Sequence, residues 1–399
     1  MKPITTTTRR RRRTETRQPH ASRPPSPADT RPNNETRPAG QRRPKRRSQP
    51  RPHATQAGRD TTTAATKSGG AKTSGKLDFD FSRLRRLVAP LVDPQLSPAA
   101  AVPVSVFALC EAKGWGADAN DGLFAAEEVL SATLGRPYTG RMLPFDRGPI
   151  GPALFYDPTL VRPAAWHDDN EYPDYDDKAG VVRFQTVHGG HHFVVIVRHW
   201  NPRSPQIRVE EARLLGCYGD GFADPVYVMG DLNATAGGMH WPRRDWTKAP
   251  YIARDAKAIR RPDGTWEDAT GAIHHLIGPW EWDDDGQQGR RTLGCGFWAM
   301  PEVAYATGTP VEEAFEPTVN RGIDAGGGQI IDHCLITRPQ LYVPGTYRIH
   351  IPQSQHGGRW DSDHRLGEAT FDLTTARDTA PCTDTDLARR YRLVPAEQT

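Results

Sequence analysis

Five short apolar runs in this sequence end beside side chains that bind cations, accept protons or stabilise negative charge. Val104–Cys110 runs into Glu111, and Val226–Met229 leads into Gly230-Asp231-Leu232-Asn233. Phe193–Val197 ends in Arg198-His199, Ile330-Ile331 precedes Asp332-His333, and Ser362-Asp363-His364 comes just before Ala369–Leu373. Carboxylates are hard oxygen ligands for a small divalent cation, and a positioned carboxylate or imidazole can move a proton near neutral pH. Taken singly, each Asp reads as a turn former at a strand end. Taken together, the set offers metal binding, water activation and charge stabilisation in one chain.

Groups at strand ends become a site only when a rigid sheet holds them. The runs Val104–Cys110, Ala153–Tyr156, Val181–Val187, Phe193–Val197, Val226–Met229, Ile330–Ile336 and Ala369–Leu373 have strand length, and several are rich in β-branched residues. His188-Gly189-Gly190-His191 lies between two of them and is suited to a hairpin turn. Phe81, Leu84, Leu87, Val88 and Leu91 recur at helical spacing, which predicts an amphipathic helix over 81–92. Leu123–Leu134 and Met300–Thr307 also read as helices, with a further short one near 384–392. Strands interspersed with helices and long loops imply an α/β sandwich.

Other polar groups have plainer readings. Asp168–Asp177 is a strongly acidic stretch suited to a solvated loop. His191-His192 and His274-His275 are adjacent pairs, and on a strand adjacent side chains point to opposite faces, which disfavours shared ligation. His333 should face away from Asp332 for the same reason. Arg321, ahead of the Ile-Asp element, could reach a phosphate. Trp115, Trp241, Trp246, Trp280, Trp282 and Trp298 lie between the motifs and are expected in the core.

Composition divides the chain. Residues 1–76 hold 20 Lys+Arg against 4 Asp+Glu, so with +4 for the whole chain the remainder carries −12. This basic, Arg/Pro/Thr-rich tail lacks the apolar residues that would offset its ordering entropy, and disorder is expected. Its arginine clusters could hold polyanions by charge and counterion release. A globular domain over 77–374 and a polar C-terminal tail over 375–399 are expected to follow. No stretch approaches the apolar length of a membrane span or a secretory core. The five scattered cysteines suit free thiols in a reducing, cytoplasmic compartment. A monomer is expected.

Gly-Asp-Leu-Asn at 230–233, the Ile-Asp element at 331–332 and Ser-Asp-His at 362–364 resemble, in order and strand context, the endonuclease/exonuclease/phosphatase family. The resemblance spans about residues 100–374. It implies a deoxyribonuclease I-like fold: a four-layer α/β sandwich of two packed mixed β-sheets flanked by helices. It further implies a phosphoesterase dependent on Mg²⁺ (or Mn²⁺), a phosphodiesterase or nuclease ahead of a small-molecule or lipid phosphatase. An inactive binding protein on the same fold is the reading from another class. Glu111 would be the principal metal ligand and Asp363 a second carboxylate beside it. Asp231 would orient or deprotonate the attacking water, and Asn233 would donate a hydrogen bond to the phosphate. His364, its tautomer fixed by Asp332, would stabilise developing charge or shuttle a proton, and His199 would contact the phosphate from the other side. The substrate would be a phosphate ester, with DNA as one candidate.

The sequence departs from this pattern at its start. The resemblance implies an opening strand that ends in Asn, a few tens of residues before Glu111. The asparagines ahead of Glu111 are Asn33, Asn34, both in the basic tail, apart from which there is none, and no β-rich run precedes 81–92. That first strand is expected to be absent.

Overall fold

A computed structural model describes residues 81–145, 150–167, 180–219, 222–283, 289–292, 294–319, 325–352 and 360–374. The chain divides into two units, Met1–Lys67 and Ser68–Thr399, and every described residue lies in the second. The expected tails at 1–76 and 375–399, the acidic loop, the helix near 384–392 and Arg321 fall outside the described residues.

The chain enters through helix α1 (Ser82–Val88), which tightens at Pro90 into a single-turn 3-10 segment, Ala89–Val92. Proline has no N–H to continue an α-helical ladder, so the helix predicted over 81–92 closes in two parts. Strand β1 (Val106–Leu109) is followed by α2 (Asp121–Leu134), β2 (Thr139–Met142) and β3 (Ala153–Tyr156). These three strands form an antiparallel sheet in the order β1-β3-β2.

Next come β4 (Val161–His167), β5 (Val181–Thr186), β6 (His192–Val197), α3 (Pro205–Arg213) and β7 (Val226–Asp231). The β5–β6 connection is the predicted hairpin, with Gly189 (φ 85°) and Gly190 (φ 64°) taking left-handed positions that only glycine adopts freely. A long excursion carries α4 (Tyr251–Lys257), β8 (Ala258–Arg260), β9 (Trp266–Asp268), α5 (Gly271–Ile277), β10 (Trp280–Trp282) and β11 (Gly289–Arg291). Then follow β12 (Trp298–Ala299), α6 (Met300–Ala306), α7 (Val311–Ala314), β13 (Asp332–Ile336), β14 (Arg348–His350) and β15 (Leu366–Glu368). The second large sheet has the order β12-β13-β7-β6-β5-β4, and only β6 and β7 run parallel. Both β8–β9 and β10–β11 are short separate hairpins, and β14 pairs with β15.

Alternation along the strands builds the layers. On β3, Ala153 and Phe155 face α1 and α2, burying Leu84, Val88, Leu123, Ala126 and Leu130 between helices and sheet. Leu154 and Tyr156 point the other way and join the larger core, where the Tyr156 ring lies 5.5 Å from that of Phe184 on β5. On the far side of the six-stranded sheet, Ala212 of α3, Ile273 and Leu276 of α5 and Met300 and Val303 of α6 close the core. The order helices, sheet, sheet, helices is the four-layer α/β sandwich.

The run Ala369–Leu373, read as a strand from sequence, is displaced. The strand is Leu366–Glu368, and Phe371 makes an isolated bridge to Tyr342. Pairing with β14, which sequence alone does not reveal, fixes the strand over a segment with weaker apolar pattern. No helix among the described residues is long and apolar enough to cross a membrane.

Candidate active site

The site grows from the parallel neighbours β6 and β7. Gly230 has φ 132°, and a Cβ there would sit 2.1 Å from the Arg198 carbonyl oxygen. Glycine therefore lets the end of β7 press against the chain leaving β6, where Arg198 N donates to Met229 O and Trp200 N donates to Asp231 O. His199 and Asp231 are thereby held side by side, both buried, with Nε2 3.7 Å from Oδ2.

Asn233 follows in the left-handed region (φ 50°), which asparagine tolerates better than most residues. Its backbone N–H donates to Asp231 Oδ1 at 2.8 Å, closing a tight turn. Its Nδ2 donates to Asp231 Oδ2 at 3.0 Å and to Trp200 O at 3.2 Å. Both amide hydrogens are engaged, and the one to Oδ2 holds the Asp231 carboxylate in place. The donation to phosphate expected of it would require one of these hydrogens to be released.

Across the sheet, Asp332 on β13 is the register partner of Asp231 on β7. The hydroxyl of Thr318 accepts from the N–H groups of Ile331 and Asp332, at 3.1 Å each, and fixes the start of β13. The same residue's carbonyl accepts from Arg365 N at 2.7 Å, and Val319 bridges to His364. His364 is thus brought over Asp332, with Nδ1 at 2.8 Å from Oδ2 and 3.0 Å from Oδ1. Nδ1–H donates to the carboxylate, and Nε2 turns toward Asp231 Oδ2, 3.9 Å away.

Electrostatics follow from this crowding. Burial raises the Asp231 carboxyl, and the charge of Asp332 raises it further, to about 7, against the opposing pull of His364 and the Asn233 N–H. Burial lowers His364, but the charge and hydrogen bond of Asp332, with Asp231 and Asp363 behind them, push it up to about 9. The carboxylates around it therefore favour the charged form of His364.

Glu111 stands at the mouth. It follows β1 with φ 60°, its side chain is 60 % exposed, and Oε1 lies 3.9 Å from His199 Nε2. The preceding Cys110 stitches the two sheets: Sγ accepts from Asp231 N at 3.3 Å and lies 3.6 Å from Arg198 O. Burial pushes this thiol well above its ordinary range, so it is neutral and no nucleophile.

Glu111, Asp231, Asp332, Asp363 and His364 line one cavity of about 420 Å³. His199 and Asn233 lie against Asp231. Among the described residues, the group whose ligand atoms come within 4.8 Å of one another is Asp231, Asp332 and His364, without Glu111 or Asp363. Four carboxylates around one imidazolium leave excess negative charge and hard oxygen donors, a composition that fits a small divalent cation. His333 turns away from Asp332, buried, with Nε2 donating to Ala234 O at 2.8 Å. Trp241 and Trp246 are core residues, whereas Trp282 is exposed.

Sequence patterning missed three contributors. Thr318 acts through its hydroxyl and carbonyl, Trp200 through its carbonyl, and Phe145 by stacking on His199 at 5.4 Å with planes 7° apart. None stands beside a motif residue except Trp200, and a backbone carbonyl leaves no trace in residue type.

The loop after Asn233 is pinned by α5: His274 Nε2 accepts from Gly237 N at 2.9 Å. Burial and the Arg291 charge lower His274 to about 4. An unfolded histidine titrates near 6.5, so the unfolded chain binds more protons between these values and stability falls as pH drops from about 6.5 to 4. His274→Gln keeps an acceptor without the titration. Thermal unfolding of this variant should depend less steeply on pH in that window, and identical slopes would show that the pin does not titrate.

The model of the Endonuclease/Exonuclease/phosphatase family matches residues 69–364. No curated protein matches the sequence. Among solved structures, a mannosyl-6-phosphatase from Bacteroides thetaiotaomicron is similar at 15% identity, with 71% of this chain and 90% of that one covered and a TM-score of 0.36. The human Nocturnin catalytic domain is 13% identical, with 72% and 87% covered and a TM-score of 0.36. Truncated Caenorhabditis elegans TDP2 is 12% identical, with 73% and 94% covered and a TM-score of 0.37.

Proposed function

We propose a specific activity for this chain, which belongs to the Endonuclease/Exonuclease/phosphatase family: it is a phosphodiesterase dependent on Mg²⁺ or Mn²⁺, acting on nucleic acid ahead of small phosphate esters. The observation that carries this reading is the Asp332–His364 pair aimed at an Asp231 that Asn233 and Trp200 hold in place. Glu111 and Asp363 would hold the cation at the cavity mouth. A bound divalent cation would supply charge neutralisation of the phosphate and a Lewis acid.

The chain's own groups do the rest. Asp231 Oδ2 sits between His199 Nε2 and His364 Nε2, where it can orient an attacking water and take its proton. His364, charged and anchored, donates from Nε2 to the phosphate oxygens as negative charge builds on them. His199 supports Asp231 from the other side. Nucleic acid is favoured as substrate because residues 1–76 carry +16 of charge that polyanions would attract.

The test is turnover of bis-p-nitrophenyl phosphate, plasmid DNA and inositol phosphates with and without Mg²⁺. Activity is expected on diesters, lost in excess EDTA and restored by added metal. Full turnover in EDTA would overturn the metal site, and no turnover on any ester would favour an inactive binding protein.

A further inference from the structure

The excursion that follows β7 reaches the site at two points, and both lie where β9 passes into α5. From α5, His274 holds Gly237 in the loop after Asn233. From the last residue of β9, Asp268 Oδ1 accepts from Gln329 Nε2 at 2.6 Å and from Trp246 Nε1 at 3.0 Å. Ala269 and Thr270 alone separate β9 from α5, so one short corner of the chain touches both halves of the site.

Gln329 passes the contact inward. It is buried, and its carbonyl accepts from Thr318 N at 3.0 Å. Thr318, also buried, takes the N–H groups of Ile331 and Asp332 on its hydroxyl and that of Arg365 on its carbonyl. Asp268 is thus joined to the Asp332–His364 pair through two buried residues. The excursion also grips the chain just ahead of Gln329, where Arg244 Nε donates to Ala325 O and Asp245 N to Gly326 O, each at 2.8 Å. Gly326 has φ 95°, and a Cβ there would lie 2.3 Å from Asp245 O, so this approach requires glycine. Burial raises the Asp268 carboxyl to about 6 and Glu267 adds to the rise, while the Trp246 bond, Arg243 and Arg244 pull it back. A carboxylate placed at that cost in solvation needs donors, and Trp246 and Gln329 supply them.

We propose that Asp268 and Gln329 are positioning residues: acting through Thr318, they set where Asp332, and with it His364, stands. The inference rests on the reading above in which that pair takes part in the chemistry. Thr318 lines the cavity, whereas Asp268 and Gln329 do not, so their influence passes through geometry and not through contact with substrate. Reacting groups tolerate little displacement, since a shift of about 1 Å costs on the order of 10² in rate. A role in packing alone would spread its loss over the whole sheet. A brace loosens the start of β13 and leaves the rest of the core as it was.

The test variant is Gln329→Met, which roughly keeps the volume and removes the donor. In the full chain, kcat on bis-p-nitrophenyl phosphate should fall about 10- to 100-fold with KM within about twofold. Amide hydrogen exchange at Ile331 and Asp332, whose N–H groups rest on Thr318, should quicken about tenfold or more, with β5 and β6 unchanged. Asp268→Ala should give the same pattern, and the double variant should be little slower than either single one. Arg261→Ala breaks the exposed pair with Glu267 on the same hairpin and should alter neither measurement. Unchanged exchange at Ile331 and Asp332 would overturn the brace, as would additive losses in the double variant. Loosened amides with kcat intact would overturn positioning, and faster exchange throughout the core would leave Gln329 a structural role only. If the unaltered chain turns over no ester, the activity proposed above fails, and the exchange measurement decides the brace by itself.

Discussion

His364→Ala is expected to lower kcat on a phosphodiester by roughly 10²–10⁴, the usual worth of a positioned acid–base or charge-stabilising group. The fold should stay intact, because His364 is held at the cavity wall by Asp332 and carries none of the sheet's core packing. Asp332→Asn should act through the same imidazole. An amide at 332 can still accept the Nδ1–H, but it removes the foremost of the charges that raise His364, so the imidazole holds its proton less tightly. The double variant should then be little slower than His364→Ala alone, since groups that act as a unit are strongly non-additive. The measurement is a double-mutant cycle in kcat with KM followed separately. Fully additive losses would refute the pairing, and a collapse of thermal stability in His364→Ala would mark a structural role.

Legibility of this fold tracked how far a segment's own pattern fixed its partner. Ala153–Tyr156 was readable to the residue because it is buried on both faces. Thr139–Met142 was not, since Thr, Gly and Arg give no strand signal and its pairing with β3 is a tertiary fact. Val161–His167 contains Pro163 and bends through a register shift there, which breaks the alternation that would have revealed it. The cluster is legible where its members are side chains at strand ends, as with Asp231, Asp332 and His364. It was illegible where a carbonyl or a distant hydroxyl does the holding, as with Trp200 and Thr318. Asn233 is a third case: the motif gives its position, while its engagement by Asp231 depends on a left-handed backbone that residue type does not display.

Asp231→Asn is expected to be at least as costly, with a fall in kcat of about 10³ or more on the scale of acid–base and electrostatic contributions. Two losses combine in one atom exchange. The amide cannot take a proton from water, and the new N–H donors replace an acceptor where Asn233 Nδ2 donates at 3.0 Å. Whichever way the new amide turns, one bond is lost, either that from Asn233 Nδ2 or that from Asn233 N. Asn233→Ala alone leaves the Asp231 carboxyl in place but freer to rotate, so its expected loss is smaller, nearer the lower end of the same range. Because Asn233 acts through Asp231, the double variant should match Asp231→Asn within a small factor. Binding of a non-hydrolysable diester analogue should change little, since phosphate contact falls to other groups in this reading. Retention of more than a tenth of kcat in Asp231→Asn would remove Asp231 from the chemistry, and additive losses with Asn233→Ala would give the asparagine a contact with substrate of its own.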